Sequence, residues 1–174
     1  MLSKLAFAAL TAVVFKGAFS AETGEGEWDF TGGTAPHGGT LRGVAVLTPK
    51  GLTVPDLNDY TKSGGFQLNE KFVYSDAFRF EMELVLRKKG DVIASEGAVW
   101  DDMYVNTGAK KFNTGMQVLL HRYDKKWTPV FSLGVGGRTC TLRGPSLIRK
   151  FGDTVKIAAV YDANRRLTIE FDGV

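Results

Sequence analysis

The sequence has little of two residues that often hold small secreted proteins or metal sites together, cysteine and histidine. A single cysteine, Cys140, stands among 174 residues, so no disulfide can form within the chain and a packed core must hold the fold. The two histidines are His37 and His121, and neither lies at a zinc-site spacing from the other or from Cys140. The sequence therefore excludes a disulfide-held fold and argues against a histidine-based metal centre.

Excess charge of one sign is also missing. The chain carries 22 basic and 19 acidic residues, and two of the basic ones, Lys4 and Lys16, lie within the first 20 residues. The rest of the chain is close to neutral. Bulk charge therefore gives no reason to expect a nucleic-acid partner.

The first 20 residues have the pattern of a secretory signal peptide. Lys4 supplies a positive start, residues 5–15 are apolar and uncharged, and the segment Ala18–Ser20 offers small residues to a signal peptidase. The apolar run is shorter than the roughly 20 residues that a membrane helix needs. We therefore expect cleavage near Ser20, no membrane span, and a secreted or cell-surface location. An uncleaved amphipathic start is the alternative.

Helical periodicity is missing after residue 20, whereas alternation of apolar and polar residues is frequent. The longest alternating run is 78–87, where every second residue from Phe78 to Leu86 is apolar. Shorter strand-like runs, separated by turn residues, lie at 41–48, 52–54, 92–94, 115–121, 130–135, 138–142, 154–161 and 166–171. Many short strands predict an all-β sandwich or barrel. We expect this domain to span 41–174, after an exposed lead-in at 21–40 with one short edge strand.

Two local features of these runs carry further expectations. Cys140 lies between Thr139 and Thr141 in an alternating run, so we expect a buried strand thiol. The last run is followed by Asp172-Gly173, a two-residue hairpin signal. A further strand should follow that turn, and we therefore expect the natural chain to continue past Val174.

The final two runs, IAAVYD at 157–162 and LTIEFDGV at 167–174, resemble the closing hairpin of laminin-G-like domains in the concanavalin A-like lectin/glucanase group. The upstream order is similar, with a tryptophan lead-in, a strand pair at 41–54, a long strand at 78–87 and a glycine-turned hairpin at 134–141. Thr154 stands where those domains usually carry a tryptophan. The resemblance implies a two-sheet antiparallel jelly-roll sandwich that is truncated at its C-terminus.

Glu81 and Glu83 lie two positions apart on a predicted strand and therefore share a face. Glucanases of this group place their acid and nucleophile on one strand, in the pattern E-x-D-x-x-E, and retaining hydrolysis needs two carboxyls about 5–5.5 Å apart. Here an apolar residue replaces the third acid of the pattern. Arg79 and Arg87 share the same face, so the alternative is a solvated surface of paired charges.

The run from Trp100 to Asn106 is the predicted binding loop. Asp101, Asp102 and Asn106 offer the oxygen ligands that Ca²⁺ prefers, and some laminin-G-like domains bind Ca²⁺ at the rim of the sandwich. No calcium-loop consensus is present, and an ordinary polar turn is the alternative.

Four aromatic residues are predicted to stack on the apolar faces of sugar rings: Trp100, Tyr104, Tyr123 and Trp127. Core packing or an aromatic cluster at a hairpin tip is the alternative. With the resemblance, these residues indicate a secreted, non-catalytic carbohydrate-binding or adhesion module. Its partner would be a carbohydrate, a glycoconjugate, or a cell-surface or matrix protein. The alternatives are a glycoside hydrolase or lyase that uses Glu81 and Glu83, and a structural spacer domain.

Overall fold

A computed structural model describes residues 12–21, 24–34, 38–53, 64–68, 77–86, 94–101, 114–135 and 137–174. These residues are mostly β-strand, with one short 3-10 helix at Thr31–Gly33, which confirms the predicted all-β fold. The strands are β1 (Ala12–Ala21), β2 (Gly24–Asp29), β3 (Gly39–Gly43), β4 (Val46–Thr48), β5 (Gly51–Thr53), β6 (Gly64–Leu68), β7 (Phe78–Leu86), β8 (Ala94–Asp101), β9 (Met116–Tyr123), β10 (Lys126–Val135), β11 (Arg138–Arg143), β12 (Leu147–Ile148), β13 (Thr154–Tyr161) and β14 (Leu167–Phe171). In this part of the chain, no helix is both long and apolar enough to cross a bilayer.

The strands form two large antiparallel sheets and one separate hairpin. Sheet I has the order β14-β13-β7-β1-β5-β4, and β2 also pairs with β1. Sheet II has the order β11-β10-β9-β8, and β12 pairs with β10 beyond the end of β11. Strands β3 and β6 form the hairpin.

The two large sheets share one hydrophobic core, which is a sandwich-like arrangement. Every second residue of β7, from Phe78 to Leu86, is buried, as its alternating sequence predicts. Sheet II contributes the buried side chains of Met116, Val118, Leu120, Trp127, Phe131 and Leu133. Phe78 of sheet I meets Phe131 of sheet II edge to face, with 6.3 Å between ring centroids. This aromatic contact joins the inner faces of the two sheets.

Strand β1 occupies the middle of sheet I, between β7 and the short strand β5. It pairs with β7 along most of its length, from Ala12 opposite Leu86 to Ala21 opposite Phe78. Cleavage near Ser20 would remove this strand and leave β7 without a neighbour on that side. The signal peptide nevertheless stays a prediction, because pairing in the folded chain does not show whether the segment is removed.

The strand boundaries depart from the sequence prediction at several places. The run 41–48 divides into β3 and β4, because Gly43 adopts a φ of 59° and the chain turns there. Strand β10 begins before Pro129, and the break between β11 and β12 lies beside this proline. Gly144 at that break donates its N–H to the Pro129 carbonyl. The lead-in is not wholly exposed, since Phe30 is buried against Phe66.

The turn at Asp172-Gly173 connects the two sheets. Both residues have positive φ, 52° and 78°, and Phe171 and Val174 exchange N–H···O bonds across them, as in a type I′ hairpin turn. The Asp172 carboxylate accepts bonds from Arg149 Nε at 2.7 Å and from the Lys156 N–H at 2.8 Å. The Arg149 carbonyl in turn accepts the Trp127 indole N–H at 3.2 Å. Asp172 therefore links sheet I to the strand pair β10–β12.

We predict that Phe131→Ala lowers the free energy of unfolding by about 3–5 kcal/mol, because it empties a buried aromatic position between the sheets. Urea denaturation followed by tryptophan fluorescence measures this change. Val135→Ala on the same strand is the control, since Val135 is 45% exposed, and it should be nearly neutral. An equal effect of the two substitutions would contradict the described packing.

We also predict that Asp172→Asn destabilises the fold by about 1–2 kcal/mol, because Arg149 loses a charged acceptor. Asparagine tolerates positive φ and keeps an oxygen for the Lys156 N–H, so the substitution isolates the charge. Asp162→Asn is the matched control, since the Asp162 carboxylate accepts the Arg166 backbone N–H within a turn. Thermal melting of both variants is the measurement, and similar melting temperatures would refute the sheet-connecting role.

Candidate functional site

The candidate site lies on the outer face of sheet II, the side away from the core. Even-numbered residues of β9 from Met116 to Leu120 are buried in the core, so the odd-numbered ones point outward. On β10 the odd-numbered residues Trp127, Phe131 and Leu133 face the core instead, so the even-numbered residues of this strand point outward. In the part of the chain that the structure describes, the outer face carries Asp101, Gln117, Leu119, His121, Tyr123, Lys126, Thr128, Val130, Ser132, Thr139, Thr141 and Arg143.

A row of four polar side chains crosses this face, one from each strand. The strand register places Asp101 opposite Gln117, Gln117 opposite Ser132, and Ser132 opposite Thr141. At about 4.8 Å between neighbouring strands, the row spans about 14 Å. We call these four residues the polar row.

Hydrogen bonds within the polar row fix the side chains in pairs. Gln117 Nε2 donates to Asp101 Oδ2 at 3.0 Å, and the hydroxyls of Ser132 and Thr141 lie 2.9 Å apart. Asp101 and Thr141 are exposed, Gln117 is half-buried and Ser132 is buried. Ser132 therefore orients Thr141, while the other three offer polar atoms to solvent. A carboxylate, an amide and a hydroxyl together present both donors and acceptors.

Tyr123 lies at the far end of the same face. It is six residues along β9 from Gln117, a distance of about 20 Å, and its side chain is 72% exposed. Between the two lie Leu119 and Val130, which are strand partners, and then Thr128, whose hydroxyl is 2.6 Å from that of Ser146. An exposed aromatic ring and a row of hydrogen-bonding groups thus lie at the two ends of one face of the sheet, and Val130 between them is only 4% exposed.

Two of the predicted site residues, Asp101 and Tyr123, share the outer face of sheet II but lie about 20 Å apart along it. Trp100 and Asp101 end β8, where Val118 and Gln117 are their strand partners, so the prediction that the binding loop begins at Trp100 is wrong. The predicted residues Tyr104, Asp102 and Asn106 lie outside the described residues. No group of three or more His, Cys, Asp or Glu side chains suited to a metal ion occurs among the described residues, and the calcium site therefore stays a prediction.

The expectation that Trp127 stacks on a ligand is wrong for the folded chain. Its side chain has no exposed surface, and its indole N–H is satisfied by the Arg149 carbonyl. The reason is parity: Trp127 is on the inward-facing side of β10, one residue after the exposed Lys126. Trp127 packs in the core instead, as the alternative interpretation of the four aromatic residues had it.

Glu81 and Glu83 lie on the outer face of sheet I, away from the polar row. Glu81 Oε1 is 2.6 Å from Arg79 Nη2, and Glu83 Oε2 is 3.5 Å from Lys156 Nζ. Arg79 also reaches Glu170 at 3.4 Å. The hydrogen bond with Glu81, more than any other contact, raises the pKa of Arg79 above its usual value. The two glutamates therefore belong to a surface of paired charges, as the alternation of β7 predicts.

Sequence reasoning missed three members of the polar row, Gln117, Ser132 and Thr141. Each is an ordinary polar residue in an alternating run, and nothing local marks it as functional. Two signals were available: the alternation of each run, and the close spacing of β10 and β11 along the chain, since the pairing of these strands sets Ser132 opposite Thr141. The alignment of Gln117 with Ser132 depends on a second hairpin, between β9 and β10.

Searches for related protein families, related curated proteins and similar solved structures found no match. The functional argument for this chain therefore rests on the geometry of its own surfaces.

The expectation of a buried Cys140 is also wrong. Cys140 is exposed, because β11 is the edge strand of sheet II and only Leu142 on it is even half-buried. An edge strand has less of the opposite sheet over it than a central strand has.

We predict that a maleimide labels Cys140 in the folded protein to one equivalent, at the rate of an exposed thiol. Mass spectrometry of the labelled chain, with and without denaturant, measures this. Labelling that requires denaturant would show that the thiol is protected.

Proposed function

We propose that this protein is a secreted, non-catalytic carbohydrate-binding module with a jelly-roll sandwich fold, and that the glycan lies along the outer face of sheet II. The observation that carries the proposal is the polar row at one end of this face with the exposed Tyr123 ring at the other. The two ends lie about 20 Å apart along β9, with the half-buried Leu119 and His121 between them. An extended ligand is therefore a better match than a compact one.

The chemistry of the polar row suits sugar hydroxyls, each of which both donates and accepts a hydrogen bond. Asp101 offers only acceptors, Gln117 offers an amide with both functions, and Thr141 offers a hydroxyl. Hydrogen bonds within the fold join Asp101 to Gln117 and Ser132 to Thr141. Their side chains consequently lose little conformational freedom on binding, which favours affinity.

Tyr123 supplies the complementary apolar contact. Sugar rings present C–H groups on their faces, and an exposed aromatic ring stacks on them while its hydroxyl stays in water. Tyr123 ends β9 just before the turn at Asp124-Lys125, so its backbone is held by the hairpin. A rigid aromatic residue with only two side-chain torsions binds at low entropic cost.

The arrangement of acids favours binding over hydrolysis. The polar row carries one carboxylate, that of Asp101, whereas glycosidases use a pair of carboxyls about 5–9.5 Å apart. Glu81 and Glu83 occupy the opposite sheet, where Arg79 and Lys156 pair with them.

We predict that the purified protein is depleted from solution by one or a few insoluble polysaccharides, with no sugar released. Tyr123→Ala should weaken this binding about tenfold through loss of stacking, whereas Tyr123→Phe should retain most of it. Gln117→Ala should weaken binding several-fold through loss of a hydrogen-bonding group. Gln67→Ala is the matched control, because Gln67 lies on β6 and pairs with Arg42 there.

The same experiment separates the other functions. Released sugar would replace the binding module with a glycoside hydrolase or lyase, and Glu81→Gln and Glu83→Gln would then test that pair. Binding lost with a chelator and restored by Ca²⁺ would support the predicted calcium ligands Asp101, Asp102 and Asn106. No depletion by any polysaccharide would leave the spacer or protein-adhesion alternatives.

A further inference from the structure

A second row of side chains crosses the outer face of sheet II at its Tyr123 end. Tyr123 on β9 is the strand partner of Lys126 on β10, and Lys126 is the strand partner of Ile148 on β12. All three are exposed, Tyr123 by 72% and Ile148 by 65%. Residues directly opposite each other on paired strands have their Cβ atoms about 4.5–5.5 Å apart. We call these three residues the aromatic row.

The ammonium group of Lys126 has no countercharge in the part of the chain that the structure describes. The described ion pairs involve other cations. Asp124 lies in the turn next to Lys125, and both are exposed, so the turn adds no net charge. The acidic positions of the face, Glu96 and Asp101, are on β8, which lies two strand spacings, or about 10 Å, from β10. The charge of Lys126 is therefore not neutralised by the fold.

A second cation lies farther along the same face. Arg143 on β11 is the strand partner of Val130. It is exposed, and it forms no ion pair with the residues that the structure describes. Val130 is four residues from Lys126 along β10, and β11 is one strand away, so the two cations stand about 14 Å apart. The path from Tyr123 to Thr141 of the polar row therefore passes both cations, whereas the acidic positions lie on β8.

The aromatic row suits a sugar ring that carries an acidic group. The alkyl stem of Lys126 extends the apolar surface between Tyr123 and Ile148, while its ammonium group stays in water. A neutral sugar stacked there removes part of the water around the ammonium group and supplies no countercharge, which costs free energy. A carboxylate or sulfate on the ring replaces that water with a charge-assisted hydrogen bond, which is about twice as strong as a neutral one.

We propose that the glycan bound on the outer face of sheet II is an acidic polymer, whose sugar rings carry carboxylate or sulfate groups. One ring stacks on Tyr123 with its acidic group at Lys126, and another acidic group of the same polymer contacts Arg143. Asp101 repels such groups, so the polymer lies toward β10 and β11 and away from β8. This inference rests on the proposed function, because it takes the outer face of sheet II as the glycan site and adds the class of glycan.

We predict that the full chain binds acidic polysaccharides more tightly than neutral ones with the same backbone. The probes are two matched pairs of soluble polymers, polygalacturonate with its methyl ester and dextran sulfate with dextran, and retardation in affinity gels measures their binding. The acidic member should bind about fivefold more tightly at low salt, and this preference should shrink as the salt concentration rises. The pair that shows the larger preference distinguishes a carboxylate ligand from a sulfate ligand.

Substitutions at the two cations test the contacts themselves. Lys126→Gln should lose about fivefold in affinity for the acidic probe and keep its affinity for the neutral one, whereas Lys126→Arg should retain most of the preference because it keeps the charge. Arg143→Gln should act in the same direction as Lys126→Gln. Lys156→Gln removes the same charge from the outer face of sheet I, where Lys156 lies 3.5 Å from Glu83, and it should bind as the unchanged protein does.

The outcomes separate this inference from the proposed function. Equal binding of the acidic and neutral members of both pairs, or an equal loss in Lys156→Gln, would overturn the acidic-glycan inference. Glycan binding would still stand in that case if Tyr123→Ala weakens it. No binding of any polysaccharide, or binding that Tyr123→Ala leaves unchanged, would overturn the glycan site on sheet II and this inference with it.

Discussion

The packing of two inner faces against each other is the constraint on which the rest of this structure depends. The single cysteine leaves no covalent tie between the sheets, so apolar burial must hold them together. Each strand therefore commits one of its two faces to the core, and Phe78 and Phe131 meet where those faces join. What remains for function is the outer face of each sheet and the ends of the strands.

The two outer faces carry different kinds of side chain, although both arise from the same alternation of apolar and polar residues. Sheet I carries charged side chains that pair with one another across strands, as Arg79 does with Glu81 and Glu170. Such exposed pairs contribute little to stability and keep the surface soluble. The polar row of sheet II carries uncharged hydrogen-bonding groups apart from Asp101, and the cations Lys126 and Arg143 lie outside this row. A row of that kind is suited to the hydroxyls of a sugar.

The end of the sandwich near Asp172 connects the packing of the core to the proposed binding face. Trp127, Arg149 and Asp172 form a chain of hydrogen bonds from sheet II to sheet I. Phe151 packs on Trp127 at this end, and the β9–β10 turn beside it follows Tyr123. A substitution that loosens this end would therefore disturb packing as well as binding, which is why the mostly exposed Tyr123 is the informative residue to change.

Local features of the chain determined the strands and their turns. Alternation from Phe78 to Leu86 predicted β7 and its buried face, and Asp172-Gly173 predicted a two-residue turn, because a period of two and a positive φ are properties of a few consecutive residues. Tertiary structure alone decided which strands are neighbours and how fully each face is covered. It placed Trp127 in the core, left Cys140 exposed on an edge strand, and aligned Asp101, Gln117, Ser132 and Thr141 from four strands. That alignment depends on register between distant segments, which no short stretch of sequence encodes.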